Sequence, residues 1–204
     1  MNWSSLNALP LGLLMFASLV WGYFKRRAAH RRAKDDYPAL AERLGLEYRR
    51  PSSDAQIGVL HGKLRGFLVH IDPDDQRKLI VRFRGTPQLD LRNYESQRRP
   101  RGTDYFSTGD RSADRFLKTR YATPELVERL TAGRLAARLP PFFDTYRHEV
   151  KEFHVTEHGI TCMLDFGNPR FIPVDAIEAL LPTLLDLAEV IEPSAPPLPS
   201  EVET

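Results

Sequence analysis

The feature that most constrains this chain is its N-terminus, where the first 24 residues carry no charged side chain. The apolar centre, Leu6 to Phe24, is 19 residues long. A helix of that length spans ~28 Å, which matches the hydrocarbon thickness of a bilayer. Trp3 lies near one end and Trp21 and Tyr23 near the other, where aromatic side chains favour the membrane interfaces. The segment 1–24 is therefore predicted to be a transmembrane anchor.

A basic cluster follows the anchor, within residues 25–34. It consists of Lys25, Arg26, Arg27, Arg31, Arg32 and Lys34. No Lys or Arg precedes the apolar segment, so the positive-inside rule places the N-terminus outside and the C-terminal domain in the cytoplasm. A cleaved secretory signal is disfavoured, because such a signal needs basic residues first and small residues at a cleavage site. The sequence predicts a single-pass protein of the cell membrane, whose basic cluster fixes the topology and is suited to anionic lipid.

The rest of the chain has a different charge balance. Six of the 29 basic residues lie in the first 34 positions, which contain no acid, so 23 basic and 27 acidic residues remain. This net negative charge disfavours nucleic acid as a partner. Residues 35–192 are long enough for one domain with a hydrophobic core. The last segment, 193–204, is predicted to be a disordered, proline-rich tail.

Apolar periodicity predicts the first half of this domain. A short helix is expected at 36–45, either continuous with the anchor or separated from it at Pro38. Ile57 to Lys63 and Phe67 to Asp72 are expected to pair as a hairpin, and Leu79 to Arg84 to add a third strand. Together these strands make an antiparallel meander.

The second half is predicted to be more helical. Gly85 to Gly102 is expected to be a polar loop, and Tyr105 to Thr108 a short edge strand. Two helices follow, one starting near Asp110 or Ser112 and one starting at Thr123-Pro124 and ending near Gly133.

A second hairpin, Val150 to Thr156 with Ile160 to Phe166, precedes a helix over Val174 to Ile191. Pro182 predicts a kink in that helix or its division into two. An antiparallel sheet (meander plus second hairpin) packed with helices belongs to the α+β class.

Residue types used in catalysis are present without a supporting pattern. Cys162 is the single cysteine, and it alternates with apolar residues, which predicts a buried and unreactive thiol. His61 and His70 can approach each other across the first hairpin, but two histidines on one hairpin commonly occur by chance. His154 and His158 have a helical ligand spacing on a predicted strand and turn, where that spacing has no meaning. No phosphate loop, nucleophile elbow or dinucleotide motif is present, so we predict no catalytic residue, metal or cofactor.

Basic residues are concentrated between Arg82 and Arg120, a stretch with ten of them against five acids. Arg98, Arg99 and Arg101 form its densest part and are the candidate interaction patch. Such a patch suits an acidic partner segment or anionic lipid. The alternative is a solvated face whose charges are partly paired within the domain.

Three sequence blocks carry a resemblance to known proteins. They are GVLHGKLRGFLVHI, DRFLKTRYATPELVERL and ITCMLDFGNPRFIPVDAIEALLPTLLDLA. With the N-terminal span, this order resembles bacterial single-span membrane proteins of unknown function that carry a domain after the anchor. The resemblance extends over residues 5–191 and implies the architecture alone, with no activity and no functional residues.

These observations lead to three functional hypotheses. The first is a non-catalytic interaction domain, tethered to the cytoplasmic membrane face, that recruits another protein. The second is a domain that binds lipid or a small ligand. The third is an enzyme, which would be indicated by a stoichiometric metal ion that is lost when His61 and His70 are both replaced.

Overall fold

The computed structural model describes residues 8–53, 56–132, 139, 143–167 and 170–192. Within these ranges, helices pack on one antiparallel sheet of nine strands, so the predicted α+β class is confirmed. The strands are β1 (Glu47–Arg49), β2 (Val59–Leu64), β3 (Phe67–Asp72), β4 (Lys78–Arg82), β5 (Leu89–Arg92), β6 (Asp104–Tyr105), β7 (Thr119–Ala122), β8 (Val150–Thr156) and β9 (Gly159–Leu164). The helices are α1 (Ala8–Leu44), α2 (Arg111–Phe116), α3 (Pro124–Ala132) and α4 (Val174–Ile191), and residues 143–146 are also helical.

The first helix, α1, is continuous for 37 residues, a length of ~55 Å at the rise of an α-helix. It passes through Pro38, so the short helix predicted around that proline continues from the N-terminal segment. Gly45 ends the helix with a φ of 67°, a conformation that glycine adopts without steric cost. The Leu46 N–H then donates to the Ala41 carbonyl at 2.8 Å, as in a Schellman motif.

The two halves of α1 differ in their surroundings. Large exposed hydrophobic side chains occupy the first half: Met15, Phe16, Leu19, Trp21, Tyr23 and Phe24. Buried side chains occupy the second half: Ala33, Tyr37, Leu40 and Ala41. The second half therefore belongs to the core of the domain. Among the residues that the structure describes, no helix has both the length and the apolar character needed to cross a membrane.

The predicted meander is confirmed in β2, β3 and β4, which pair in sequence order. Arg65 and Gly66 connect β2 to β3 with φ values of 50° and 85°, the two positive values of a type I′ hairpin turn. A strand that the sequence analysis did not predict, β1, pairs with the outer edge of β2.

The second predicted hairpin, β8 with β9, is also confirmed. It enters the sheet between the meander and the remaining strands, in the order β1-β2-β3-β4-β9-β8-β5-β7-β6. Gly159 opens β9 at this junction. A Cβ at Gly159 would lie 2.3 Å from the Val81 carbonyl oxygen, so the close pairing of β9 with β4 requires glycine there.

The predicted loop from Gly85 to Gly102 is wrong in part, because it contains β5. A further unpredicted strand, β7, follows α2. Both strands are short and carry buried charged residues, Asp90 in β5 at 3% exposure and Arg120 in β7 at 7%. Charged residues at inward positions conceal the alternation by which strands are recognised. The edge strand β6 overlaps the predicted one only at Tyr105.

The predicted helices are found near their expected positions. Asp110 caps α2 by accepting a hydrogen bond from the Ala113 N–H at 2.8 Å, and α3 begins at Pro124. α4 spans the predicted residues and is one helix through Pro182, so of the two predicted alternatives at this proline, a kink or a division into two helices, the division is wrong. The predicted end of α3 at Gly133 and the tail 193–204 lie outside the described residues.

Candidate functional site: an arginine cleft where two strands separate

The candidate site is a cleft of about 510 Å³ at the junction of β5 and β8. These strands pair only through Leu91 with Val155 and Arg92 with His154. On one side of these pairs the contact continues, because the Asn93 N–H donates to the Phe153 carbonyl at 3.1 Å. On the other side Leu89 and Asp90 pair with β7 and not with β8, which leaves a gap. The cleft lies in this gap. Its walls are residues 88–90 and Arg92, the loop 98–101, and the β8–β9 turn 156–158; we call it the arginine cleft.

The structure brings all three predicted patch residues, Arg98, Arg99 and Arg101, to this cleft. Their local roles differ. The Arg99 guanidinium donates to the Thr103 carbonyl and to Asp104, so its charge is compensated. Arg98 and Arg101 have exposed side chains with no hydrogen-bond or ion-pair partner within the described part of the chain. These two guanidinium groups are therefore available to an external anion.

The floor of the cleft contains a closed ion pair. Arg92 Nε lies 2.6 Å from Asp90 Oδ1, and Arg92 Nη1 donates to the Tyr94 hydroxyl at 2.7 Å. Burial acts to lower the pKa of Arg92, but the hydrogen bonds to Asp90 and Tyr94 outweigh it and raise that pKa. The buried charges compensate each other, so the net positive character of the cleft comes from its rim.

The loop that carries the patch is held in place by hydrogen bonds to buried groups. The Thr119 side chain, on β7, is buried; its hydroxyl donates to the Tyr94 carbonyl at 2.9 Å and accepts from the Ser96 N–H at 2.8 Å. Thr103 closes the other end by donating to the Pro100 carbonyl at 2.8 Å. Because both ends are fixed, the two available arginines are presented with little ordering cost, which favours binding.

Other arginines of the same stretch have structural roles. The buried guanidinium of Arg120 donates to the carbonyls of Phe106 at 2.9 Å and Asp114 at 2.5 Å, and also to that of Leu117. Its Nε lies 3.4 Å from Asp114 Oδ1. The ten basic residues between Arg82 and Arg120 are thus partly paired, and the available charge is narrower than the sequence count indicates.

The acidic face of α4 is also occupied. Glu178 pairs with Arg43 at 2.7 Å and Asp186 with Arg65 at 2.7 Å. These pairs join the last helix to α1 and to the β2–β3 turn. This face therefore stabilises the domain and does not offer free carboxylates at these two positions.

The basic cluster after the predicted anchor lies at the boundary between the exposed half and the buried half of α1. Lys25, Arg27, Arg31 and Arg32 are exposed there, and Lys34 is half-buried. The side chain of Arg26 lies outside the described part. The cluster therefore surrounds the helix just before it enters the domain.

The remaining chemical candidates are not assembled into a site. Cys162 is fully buried, and burial raises the pKa of its thiol to about 12, which makes it a poor nucleophile. His61 and His70 are paired across the hairpin as predicted. Glu47 lies 3.0 Å from His61 Nε2. In the described ranges, no group of three or more His, Cys, Asp or Glu side chains is arranged to hold a metal ion.

The histidines with helical spacing lie on a strand and a turn. His154 contacts Glu152 at 3.2 Å, and His158 contacts Glu157 at 3.6 Å. They do not form a common site. The arginine cleft itself depends on the unpredicted strand β5 and on a long-range meeting of chain segments, so the sequence offered the patch but no signal for the cleft.

Comparisons with known proteins give one structural likeness. No protein-family model matches the chain, and no curated protein matches it in sequence. A solved structure to which it is similar is the crystal structure of the mycobacterial trehalose monomycolate transport factor A, TtfA. The TM-score is 0.46 and the sequence identity 15%, over 83% of this chain and 99% of that chain.

Proposed function

We propose that this protein is a non-catalytic interaction domain, tethered at the cytoplasmic face of the membrane, whose arginine cleft binds an acidic segment of a protein partner. The observation that carries the proposal is the pair Arg98 and Arg101 at a built cleft, without partners among the described residues. Planar guanidinium groups bind carboxylates by paired hydrogen bonds, so this site suits Asp or Glu side chains.

The tether is supported by the sequence and by the exposed half of α1. Met15, Phe16, Phe24 and Trp21 are all more than half exposed. At about 100° per residue, they point in directions separated by at least ~60° around the helix. A protein partner covers one face of a helix, whereas lipid surrounds it, so apolar side chains on every side favour a bilayer. The charge-free segment also includes residues 1–7, which precede the described helix.

The direction of the tether rests on the basic cluster, residues 25–34. All its Lys and Arg residues follow the apolar segment, which favours a cytoplasmic domain. The same charges would lie near the headgroups of anionic lipids, where each contributes ~1 kcal/mol. Lipid contact is thus assigned to α1 and partner binding to the cleft.

The two surfaces are well separated in the sheet. α1 packs on β1, β2 and α4, whereas β5, which forms the cleft, lies five strand positions from β2. At ~4.8 Å per strand this is a distance of ~24 Å. This separation supports a division of roles in which α1 contacts the membrane and the cleft binds another protein.

A small anionic ligand is the second candidate. The cleft volume of about 510 Å³ falls in the range of small-molecule sites, ~300–1,000 Å³. The cleft lining, however, is as polar as it is apolar, with a closed ion pair and one buried leucine, Leu89, at its floor, whereas small-molecule sites are predominantly apolar. We therefore place this candidate after the protein partner.

The experiment compares the full-length chain with two charge-reversal variants, after solubilisation from native membranes. Arg98→Glu with Arg101→Glu changes the cleft. Arg111→Glu with Arg115→Glu is the matched control, because these exposed α2 residues have no partner in the described part either. A stoichiometric protein lost only from the cleft variant supports the proposal. Retention of that protein by the cleft variant, or recovery of a small anion alone, rejects it.

The tether has a separate test. Carbonate extraction of membranes removes peripheral proteins and leaves integral ones in the pellet. We expect the full-length chain to stay in the pellet. Its release would contradict the anchor while leaving the cleft experiment valid.

A further inference from the structure

Two tyrosines lie beside the arginine cleft, on the side toward the edge strand β6. Tyr121 of β7 is directly opposite Asp90 of the cleft floor, and Tyr105 of β6 is directly opposite Tyr121. Directly opposite residues of antiparallel strands project from the same face of a sheet. At ~4.8 Å per strand, the backbone of Tyr105 lies ~10 Å from that of Asp90. We call Tyr105 and Tyr121 the tyrosine pair.

The tyrosine pair is held by two guanidinium groups. The two rings meet edge to face, with centroids 5.8 Å apart. The Arg99 guanidinium, in the cleft wall, lies 5.9 Å from the centre of the Tyr121 ring. The buried Arg120 guanidinium lies 4.9 Å from the centre of the Tyr105 ring and also donates to the Tyr105 hydroxyl. These contacts fix the rings and join them to the cleft through Arg99.

Despite these contacts, the Tyr105 side chain is 56% exposed. Outside α1, the described residues include only three exposed large hydrophobic side chains, Leu68, Tyr94 and Tyr105. The Tyr94 hydroxyl accepts a hydrogen bond from Arg92 in the cleft floor, so two of the three flank the cleft. Tyrosine and arginine are enriched among the interface residues that carry most of the binding energy. The open part of the Tyr105 ring is therefore suited to contact a protein partner.

We infer that the acidic segment bound in the arginine cleft also places an aromatic side chain against the tyrosine pair. The inference rests on the proposed function, because it adds a second contact with the same partner. An aromatic ring suits this place better than an aliphatic side chain, since it gains edge-to-face contacts with the tyrosines and a cation–π contact with a neighbouring guanidinium. An extended chain advances ~3.3 Å per residue, so ~10 Å corresponds to about three residues between the carboxylates and the ring.

Peptide titration of the full-length chain tests the inference. The first probe is a hexaglutamate peptide, and the second is the same peptide followed by two glycines and a phenylalanine. A third probe carries the phenylalanine and the glycines at its N-terminal end, so that both chain directions are covered. One of the two phenylalanine probes should bind about threefold to tenfold more tightly than hexaglutamate, as expected for an aromatic pair. Cyclohexylalanine in place of phenylalanine has a similar size without π electrons, and should lose most of that gain.

Variants of Tyr105 locate the contact. The measured quantity is the ratio of the two affinities on one variant, so a general weakening of the cleft cancels. Tyr105→Leu removes the ring but keeps an apolar side chain, and should bring the ratio close to one, whereas Tyr105→Phe should keep the gain. Leu68→Ala is the matched control, because Leu68 is exposed on β3, four strand positions from β5. This control should also keep the gain.

Three results would overturn the inference: no gain from phenylalanine in the native chain, an equal gain from cyclohexylalanine, or a gain that Tyr105→Leu leaves unchanged. The cyclohexylalanine comparison uses the native chain and does not depend on the folding of any variant. Hexaglutamate binding that is lost in Arg98→Glu with Arg101→Glu would support the cleft even where phenylalanine adds nothing. If hexaglutamate does not bind the native chain, the proposed function fails and the aromatic contact fails with it. The two failures are therefore distinguishable.

Discussion

Thr119→Val tests whether the patch loop is held by the buried hydroxyl on β7. Valine has nearly the shape of threonine, so packing is kept, while the hydrogen bonds with the Tyr94 carbonyl and the Ser96 N–H are lost. Each such bond contributes ~1 kcal/mol net. We therefore expect the free energy of unfolding to fall by about 2 kcal/mol, which is ~4–8 °C in melting temperature for a chain of this size.

The substitution also has a functional consequence. A loop released at Tyr94 and Ser96 must be ordered again when it binds an anion. The affinity for a hexaglutamate peptide, used as an acidic probe of the arginine cleft, should therefore fall together with stability. Thr119→Ser is the matched control, because it removes a methyl group and keeps the hydroxyl. The serine variant should lose about 1 kcal/mol of stability and bind the peptide like wild type.

Thermal unfolding and peptide titration of the full-length chain in the same detergent measure both effects. The reasoning would be refuted if Thr119→Val unfolded within ~0.5 kcal/mol of wild type, the range of a neutral surface change. It would also be refuted if both variants weakened peptide binding equally, since loss of the hydroxyl would then not be the cause.

Two further predictions concern buried charge and protonation. Arg120→Met removes the donor to three carbonyls and the partner of Asp114, so the free energy of unfolding, measured with denaturant, should fall by about 3–4 kcal/mol. The control, Arg115→Met on the surface of α2, should lower it by less than ~0.5 kcal/mol. Similar losses in the two variants would contradict the role of Arg120. Burial lowers the pKa of His70 in the folded chain, so the unfolded chain takes up the proton first and stability should fall as pH drops below the ordinary value of 6.5. His70→Gln should make melting temperature less dependent on pH between about 7 and 5, and an unchanged slope would show that His70 does not contribute.

The elements predicted correctly are those specified by local signals. The β2–β3 hairpin has a turn of Arg65 and Gly66 between two alternating strands, and its bounds follow from those residues. α4 has an apolar stripe over 18 residues, long enough to make the helical period unambiguous. Strand β5 lacks such a signal, because its four residues include Asp90 and Arg92, whose charges are compensated only within the folded sheet.

The candidate site was predictable only as a group of residues. Arg98, Arg99 and Arg101 are conspicuous in the sequence, but the sequence does not distinguish Arg99, which is paired with Asp104, from its neighbours. Contacts formed only in the folded chain decide which of these arginines can bind an external anion. Long-range contacts also decide which acidic residues of α4 are available. Glu178 belongs to an acidic face in the sequence, but in the fold it is paired with Arg43.

The proposed tether and the arginine cleft are connected through the continuity of α1. The same helix carries the exposed residues Trp21 and Phe24 and the buried residue Tyr37, and the Tyr37 hydroxyl bonds to the Ile172 carbonyl just before α4. α4 in turn packs on β4 and β9, and Glu192 after it binds the start of the connection to β5. Rotation of the domain relative to the exposed half of α1 would therefore require the helix to bend or these buried contacts to break. The tether that we propose would therefore present the arginine cleft in one orientation relative to the exposed half of α1.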